Sequence, residues 1–265
     1  MPLPGEVQVE SVMRFPFPRG PRLLPLVFAV LALAGCAGDL AEHVNIGTVY
    51  PDTMALMAAK DMDRGAPIMI RITKEDSTLE VLKEDRQGRY RPLKTYSICR
   101  FSGGLGPKKA EGDHQAPEGF YTVAPNQMNP HSREYLSFNT GYPNAFDRSF
   151  GRTGDSLMVH GGCRSVGCYA MTNAQIEEIY GLAHEAFAGG QTAIPLEAFP
   201  FRMTEANLDR HRDDPNAPFW AMLKTGSDAF TAAARPPQVA VCDHRYVFAP
   251  DGAPRPGGQS CTAAS

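Results

Sequence analysis

The chain has 265 residues, 43% of them hydrophobic and 21% charged, the composition of an ordinary globular protein of one large domain or two small ones. A formal net charge of −3 gives no basic footprint for nucleic acid. With 25 glycines and 23 prolines, the chain is punctuated by turns, which favours a β-rich architecture over a helical bundle.

The N-terminus reads as an export signal. From Met13 the sequence runs MRFPFPRGPRLLPLVFAVLALAGC, with Arg14, Arg19 and Arg22 as a positive region and residues 23–35 as a short apolar one. As a helix that apolar run would rise roughly 20 Å, short of a hydrocarbon core ~30 Å thick. Residues 1–36 are therefore expected to be a secretory signal and not a membrane span. Leu33-Ala34-Gly35-Cys36 resembles the lipobox of bacterial lipoproteins, in which the cysteine becomes the acylated first residue. Several acyl chains on Cys36 would give a stable membrane anchor where one chain is marginal. The competing reading is plain cleavage after small residues, with Cys36 unmodified. Glu6 and Glu10 are out of place in such a signal, so Met13 is a candidate start. Export would put the chain in the oxidising periplasm, where disulfides persist.

Residues 37–65 read as a tether with a short helix around 53–60. Strand-like runs follow at 68–72 (IMIRI), 78–82 (TLEVL) and 90–98, with Gln87-Gly88 as the hairpin turn before the third. Runs at 119–123, 135–138 and 156–160 continue the series. Thr172-Asn-Ala-Gln175 fits a capping box, and Ile176, Ile179, Tyr180, Ala183 and Phe187 recur at helical spacing until Gly189-Gly190 stops the helix. That stripe reads as core packing. Residues 192–201 return to strand, 204–212 and 218–224 read as helices, and 239–248 is a last strand. The Pro/Gly/Ser-rich tail, 249–265, reads as flexible. The expected fold class is mainly β with peripheral helices, an α+β arrangement.

Chemistry concentrates in VHGGCRSVGC, residues 159–168. Three readings compete. His160, Cys163 and Cys168 are loosely spaced like zinc ligands, but a structural zinc site takes four ligands, and Cys99, Cys242 and His244 are isolated. A Cys163–Cys168 disulfide leaves His160 and the glycines without a role. A nucleophile accounts for more of the stretch. A thiol attacks as thiolate, and its pKa must be lowered by an imidazole or a helix N-terminus. His160 ends a strand, Cys168 lies four residues before the Thr172 cap, and Gly167 would let N–H groups reach a developing oxyanion.

The pairing of HG at 160–161 with SVGC at 165–168, preceded by LGPKKAEGDHQAPEGFYTV at 105–123, resembles the YkuD-type L,D-transpeptidase family. The resemblance runs over roughly residues 66–205 and takes in SFNTGYPNAFDRSFGRTGDSLMVHG and GCYAMTN. The short interval between His160 and Cys168, with PFRMT at 200–204, points to its YafK-like branch. It implies a β-sandwich or open-barrel catalytic domain over 66–205, with helices and a strand of 206–248 packed on it. It also implies Cys168 as nucleophile, His160 as general base, the Gly161 carbonyl as orienter of the imidazole, and the N–H groups of Gly167 and Cys168 as an oxyanion hole. Ser165 matches the motif serine, which the resemblance implies shapes the turn rather than reacts, and it borders the expected substrate site. Many members carry an arginine two residues after the nucleophile, where this chain has Ala170. Substrate carboxylates then need other arginines, with Arg164, Arg152, Arg148 and Arg133 as candidates; Tyr169 flanks the nucleophile as a further candidate substrate contact, with core packing as the competing reading.

The implied substrate is a periplasmic peptidoglycan stem peptide, attacked at the L-centre of its diamino acid to give a thioester, with no cofactor. An amine would then give a cross-link. Water would give hydrolysis, as an L,D-carboxypeptidase or as an amidase releasing an outer-membrane lipoprotein from peptidoglycan. A reading of another class is a lipid-anchored peptidoglycan-binding protein without turnover. Glu111, Asp113 and His114 sit in a polar loop and receive no proton-transfer role. Cys163 is either a second thiol or a partner of Cys99. Cys242 with Cys261 would close a loop worth roughly 3 kcal/mol in the chain-entropy model.

Overall fold

The computed structural model describes residues 44–249 and 261–264. The export and lipidation expectations at residues 1–36, Cys36 included, lie outside the described residues. In chain order the elements are α1 (Pro51–Ala59), β1 (Ile68–Thr73), β2 (Thr78–Glu84), β3 (Tyr90–Ser97), β4 (Arg100–Phe101), β5 (Gly119–Val123), β6 (Met128–Asn129), β7 (Ser137–Asn139) and α2 (Ala145–Ser149). β8 (Met158–His160), β9 (Tyr169–Ala170), α3 (Asn173–Ala188), β10 (Ile194–Phe199), α4 (Glu205–Arg210), α5 (Ala217–Ala233), β11 (Gln238–Cys242), β12 (Arg245–Ala249) and β13 (Cys261–Ala263) follow.

They make three open sheets, ordered β3-β2-β1-β10-β5, β4-β9-β8-β7-β6 and β12-β11-β13, and among the described residues none closes into a barrel. The expected mainly β, α+β class is the observed one. Pairing is antiparallel except for β1 with β10 and β8 with β9. The two five-stranded sheets share one core with α3, where Ile70, Ile72 and Val81 meet Phe138, Val159 and Tyr169 and the helix adds Ile176, Ile179 and Leu182. Successive strand residues face opposite sides. Tyr121 therefore enters that core while Phe120 joins a second one with Phe146, Phe199, Phe201, Trp220 and Tyr246. The first sheet is thus covered on both faces, which is why its strands read as near-continuous apolar runs.

Two expectations change here. The described part of the supposed tether is packed: Val49, Met57 and Met62 are core residues, and Thr53 donates to Glu178 on α3 at 2.5 Å. Within the expected tail, β13 pairs with β11 and is pinned by the Cys242–Cys261 disulfide. α3 begins as expected, with Thr172 accepting from the Gln175 N–H. Among the described residues no helix is long and apolar enough to cross a membrane.

Candidate active site

Two short strands hold the site. β8 and β9 run in parallel, with Val159 opposite Tyr169 and His160 opposite Ala170. Val159 and Tyr169 face the core, so alternation turns His160, and Cys168 one step before β9, to the other face. The Met158 N–H donates to Cys168 Sγ at 3.4 Å, and the thiol reaches the Ser156 carbonyl at 4.0 Å.

His160 is buried, and its Nδ1 lies 2.6 Å from the Gly161 carbonyl. A carbonyl only accepts, so Nδ1 is the donor here, which in the neutral ring makes Nε2 the acceptor nitrogen. Gly161 is held by its N–H to the Leu136 carbonyl at 3.1 Å. Among the described residues no hydrogen bond joins the imidazole to Cys168; such contacts commonly tighten only when substrate is bound.

The turn between the two residues is tied at several points. Cys163 is bonded to Cys99. This overturns the Cys163–Cys168 disulfide, removes Cys163 from any zinc set, and leaves Cys168 as the free cysteine among the described residues. The Gly162 N–H donates to Asn173 at 3.0 Å and the Cys163 N–H to the Met171 carbonyl at 3.2 Å. Ser165 donates to the Cys168 carbonyl at 2.6 Å and accepts the Cys168 N–H at 3.0 Å. With its own proton spent there, Ser165 accepts from Ser102, 2.9 Å away.

Ser165 spends its bonding capacity shaping the turn and does not present it to substrate. The Cys168 N–H is committed to Ser165, so of the two expected oxyanion donors Gly167 is the one whose N–H has no acceptor among the described residues. Gly167 has φ +100°, a conformation open to glycine. Tyr169 is fully buried, its hydroxyl donating to the Pro117 carbonyl at 2.6 Å. Arg152 pairs with buried Asp147 at 2.7 Å and lies over the rings of Phe146, Phe150 and Phe219, so its guanidinium is not offered to a ligand. Arg148 donates to the Pro143 carbonyl. Arg164 and Arg133 are exposed, without a hydrogen bond or ion pair among the described residues.

Burial pushes the Cys168 thiol pKa up; the Met158 N–H and the Lys108 charge pull it down, and the Glu134 charge adds to the rise. Lys108 is buried and donates to the Ala110 carbonyl at 2.8 Å and to Asp113 at 2.6 Å. Partial burial opposes the Asp113 charge, but N–H groups of Ala110, Lys109 and Gln115, with the Lys108 ammonium, hold its carboxyl down to about 2. Asp113 therefore organises the loop. Beneath that loop the buried Lys74 meets Glu118 at 3.0 Å and donates to the carbonyls of Gly104, Gly106 and Ala116. Lys108, Glu134 and Lys74 were not singled out from the sequence. Lys108 had a signal, two lysines before an acidic turn, whereas the approach of Glu134 to the site has none in spacing.

Fold and site together define a domain of the L,D-transpeptidase class, and the comparisons agree. The family model described as the YkuD L,D-transpeptidase catalytic domain matches residues 68–194. A protein of Escherichia coli strain K12 named "Putative L,D-transpeptidase YafK" is 42% identical over 226 residues, which is 85% of this chain and 87% of that one. The chain belongs to the YkuD L,D-transpeptidase family. Among solved structures it is similar to the helical cell shape determining protein Pgp2 from Campylobacter jejuni, at 22% identity and TM-score 0.42, covering 69% of this chain and 67% of that chain. It is also similar to Bd1075 of Bdellovibrio bacteriovorus, at 21% identity and TM-score 0.35, covering 62% of this chain and 60% of that one.

Proposed function

We propose that this chain is a periplasmic, cysteine-dependent L,D-transpeptidase that acts on peptidoglycan stem peptides through a thioester on Cys168. The observation that carries the reading is a free thiol sharing one strand face with an imidazole whose Nδ1 proton is fixed on the Gly161 carbonyl. Because burial keeps Cys168 protonated at rest, activation is by general base. Nε2 of His160 takes the thiol proton as Sγ attacks the carbonyl at the L-centre of the diamino acid. The Gly167 N–H faces the developing oxyanion. Collapse of the tetrahedral adduct returns the proton to the leaving amine and leaves the thioester. An acceptor amine then forms the cross-link, and Cys168 departs as a thiol. Arg164 supplies the carboxylate contact that Ala170 does not.

Two disulfides, Cys99–Cys163 and Cys242–Cys261, suit an oxidising compartment, and the lipobox-like Cys36 supplies the anchor. The test is incubation of purified protein with muropeptides and with lipoprotein-linked sacculi, products being identified by mass spectrometry. Cross-linked dimers, absent with Cys168→Ala although that variant still binds sacculi, are the expected result. Acid products alone would make the protein a hydrolase. Undiminished turnover in Cys168→Ala would overturn the assignment.

A further inference from the structure

Glu134 lies in the segment between β6 and β7, exposed, and among the described residues no hydrogen bond or ion pair takes up its carboxylate. It is pressed onto the His160-Gly161-Gly162 turn. A methyl group on Gly161 would lie 2.7 Å from the Glu134 carbonyl, and one on Gly162 would lie 2.5 Å from Glu134 Oε2. The backbone that puts it there is strained. The Leu136 N–H returns to the Glu134 carbonyl at 3.1 Å, and Tyr135 between them has φ +75°. This is a γ-turn of the rare positive hand, an outlier for an aromatic residue. It is held by the Tyr135 hydroxyl on Glu177 at 2.9 Å and by the Gly161 N–H on the Leu136 carbonyl at 3.1 Å. Strain of this kind persists where its surroundings over-determine it, commonly at functional sites.

A negative charge here works against the Cys168 thiolate, so a site for thiol attack alone gains nothing from it. The group it suits is a cation arriving after the thiol has become a thioester. We propose that Glu134 binds the ammonium group of the acceptor and so determines specificity for an amine over water, an inference that rests on the thioester reading above. The held ammonium gives one proton to water, and its nitrogen lone pair attacks the thioester carbonyl, forming the C–N bond. As the adduct collapses the C–S bond breaks, and a second nitrogen proton passes through His160 to the departing Cys168 sulfur. The products are a neutral amide and a thiol.

The test uses wild type, Glu134→Gln and Glu134→Lys of the full chain, with a stem tetrapeptide as donor. Acyl-enzyme on Cys168 is followed by intact mass, and products are partitioned between amide and acid. The acceptors are a diamino-acid stem peptide, whose side-chain amine is an ammonium at neutral pH, and hydroxylamine, which is neutral there. Glu134→Gln is expected to acylate faster, since the opposing charge is gone. It should lower amide-to-acid partition with the stem peptide by about 1.5-fold to fivefold, the range of an exposed ion pair, and lower hydroxylamine partition less. Glu134→Lys should acylate at least as fast and partition still less to the cationic acceptor. Normal acyl-enzyme with partition falling equally for both acceptors, or not at all, overturns this inference alone. Wild-type protein that never acylates overturns the parent reading, and this one with it.

Discussion

At Cys168 a buried thiol lies between two opposed charges, Lys108 lowering its pKa and Glu134 raising it, with burial the larger effect. The signs give a prediction that needs no substrate. Iodoacetamide alkylation of the Cys168 peptide, followed by mass spectrometry against pH, should have its midpoint above that of an ordinary cysteine. A nearby cation stabilises the thiolate, so Lys108→Gln should move the midpoint up. A nearby anion destabilises it, so Glu134→Gln should move the midpoint down. A wild-type midpoint below the ordinary thiol value would mean a preformed thiolate–imidazolium pair and would remove the general-base step proposed above.

The element that carries the site is the turn from Gly161 to Cys168, and its anchor is the disulfide to Cys99. A sequence separation of 64 makes that bond worth roughly 4 kcal/mol in the chain-entropy model, against roughly 3 kcal/mol for the Cys242–Cys261 loop. The paired variant Cys99→Ala/Cys163→Ala should therefore lose more in urea denaturation than Cys242→Ala/Cys261→Ala. It alone should also slow acylation of Cys168, because the turn loses its covalent tie; equal effects of the two pairs on acylation would remove Cys163 as the anchor. Legibility differed by element for physical reasons. β1, β2 and β5 were readable because β-branched and aromatic residues cluster there, and α3 because Thr172 and Gln175 cap it. β4 and β9 were not, since a two-residue strand exists only by virtue of its neighbour's register. The helix expected over 218–224 runs on to Ala233 through Gly226, a poor helix former that is needed where the rings of Phe120 and Phe248 press on the backbone. His160 and Cys168 stood out by residue type and spacing, and the β8–β9 register sets them on one face of the sheet. Glu134 was not, because a γ-turn carries it to Gly162, and Arg152 misled because its type suits a carboxylate whether that carboxylate is substrate or Asp147.

At the scale of the whole molecule, the part beyond the family match at 68–194 reaches back to the site. Trp220 of α5 is fully buried and donates Nε1–H to Glu118 Oε2 at 2.9 Å. The other oxygen of Glu118 accepts the Gly106 N–H at 2.8 Å and meets Lys74. Lys74 binds three carbonyls of the loop that ends at Pro117, and the Pro117 carbonyl takes the hydroxyl of Tyr169, next to Cys168. The C-terminal helix thus supports the loop beside the thiol through a buried ion pair. Removing one donor from such a pair leaves a buried carboxylate oxygen unmet, at a cost of about 1–3 kcal/mol beyond lost packing. Trp220→Phe also leaves a void, so the single variant cannot isolate the bond. A cycle of Trp220→Phe, Glu118→Gln and the double variant does, because the packing loss appears in both arms. The expected coupling is about 1 kcal/mol or more in urea denaturation, with slower acylation of Cys168 in Trp220→Phe. Additive losses would mean that Trp220 only fills space. A real coupling with unchanged acylation would mean that the support stops at the loop and does not reach the thiol.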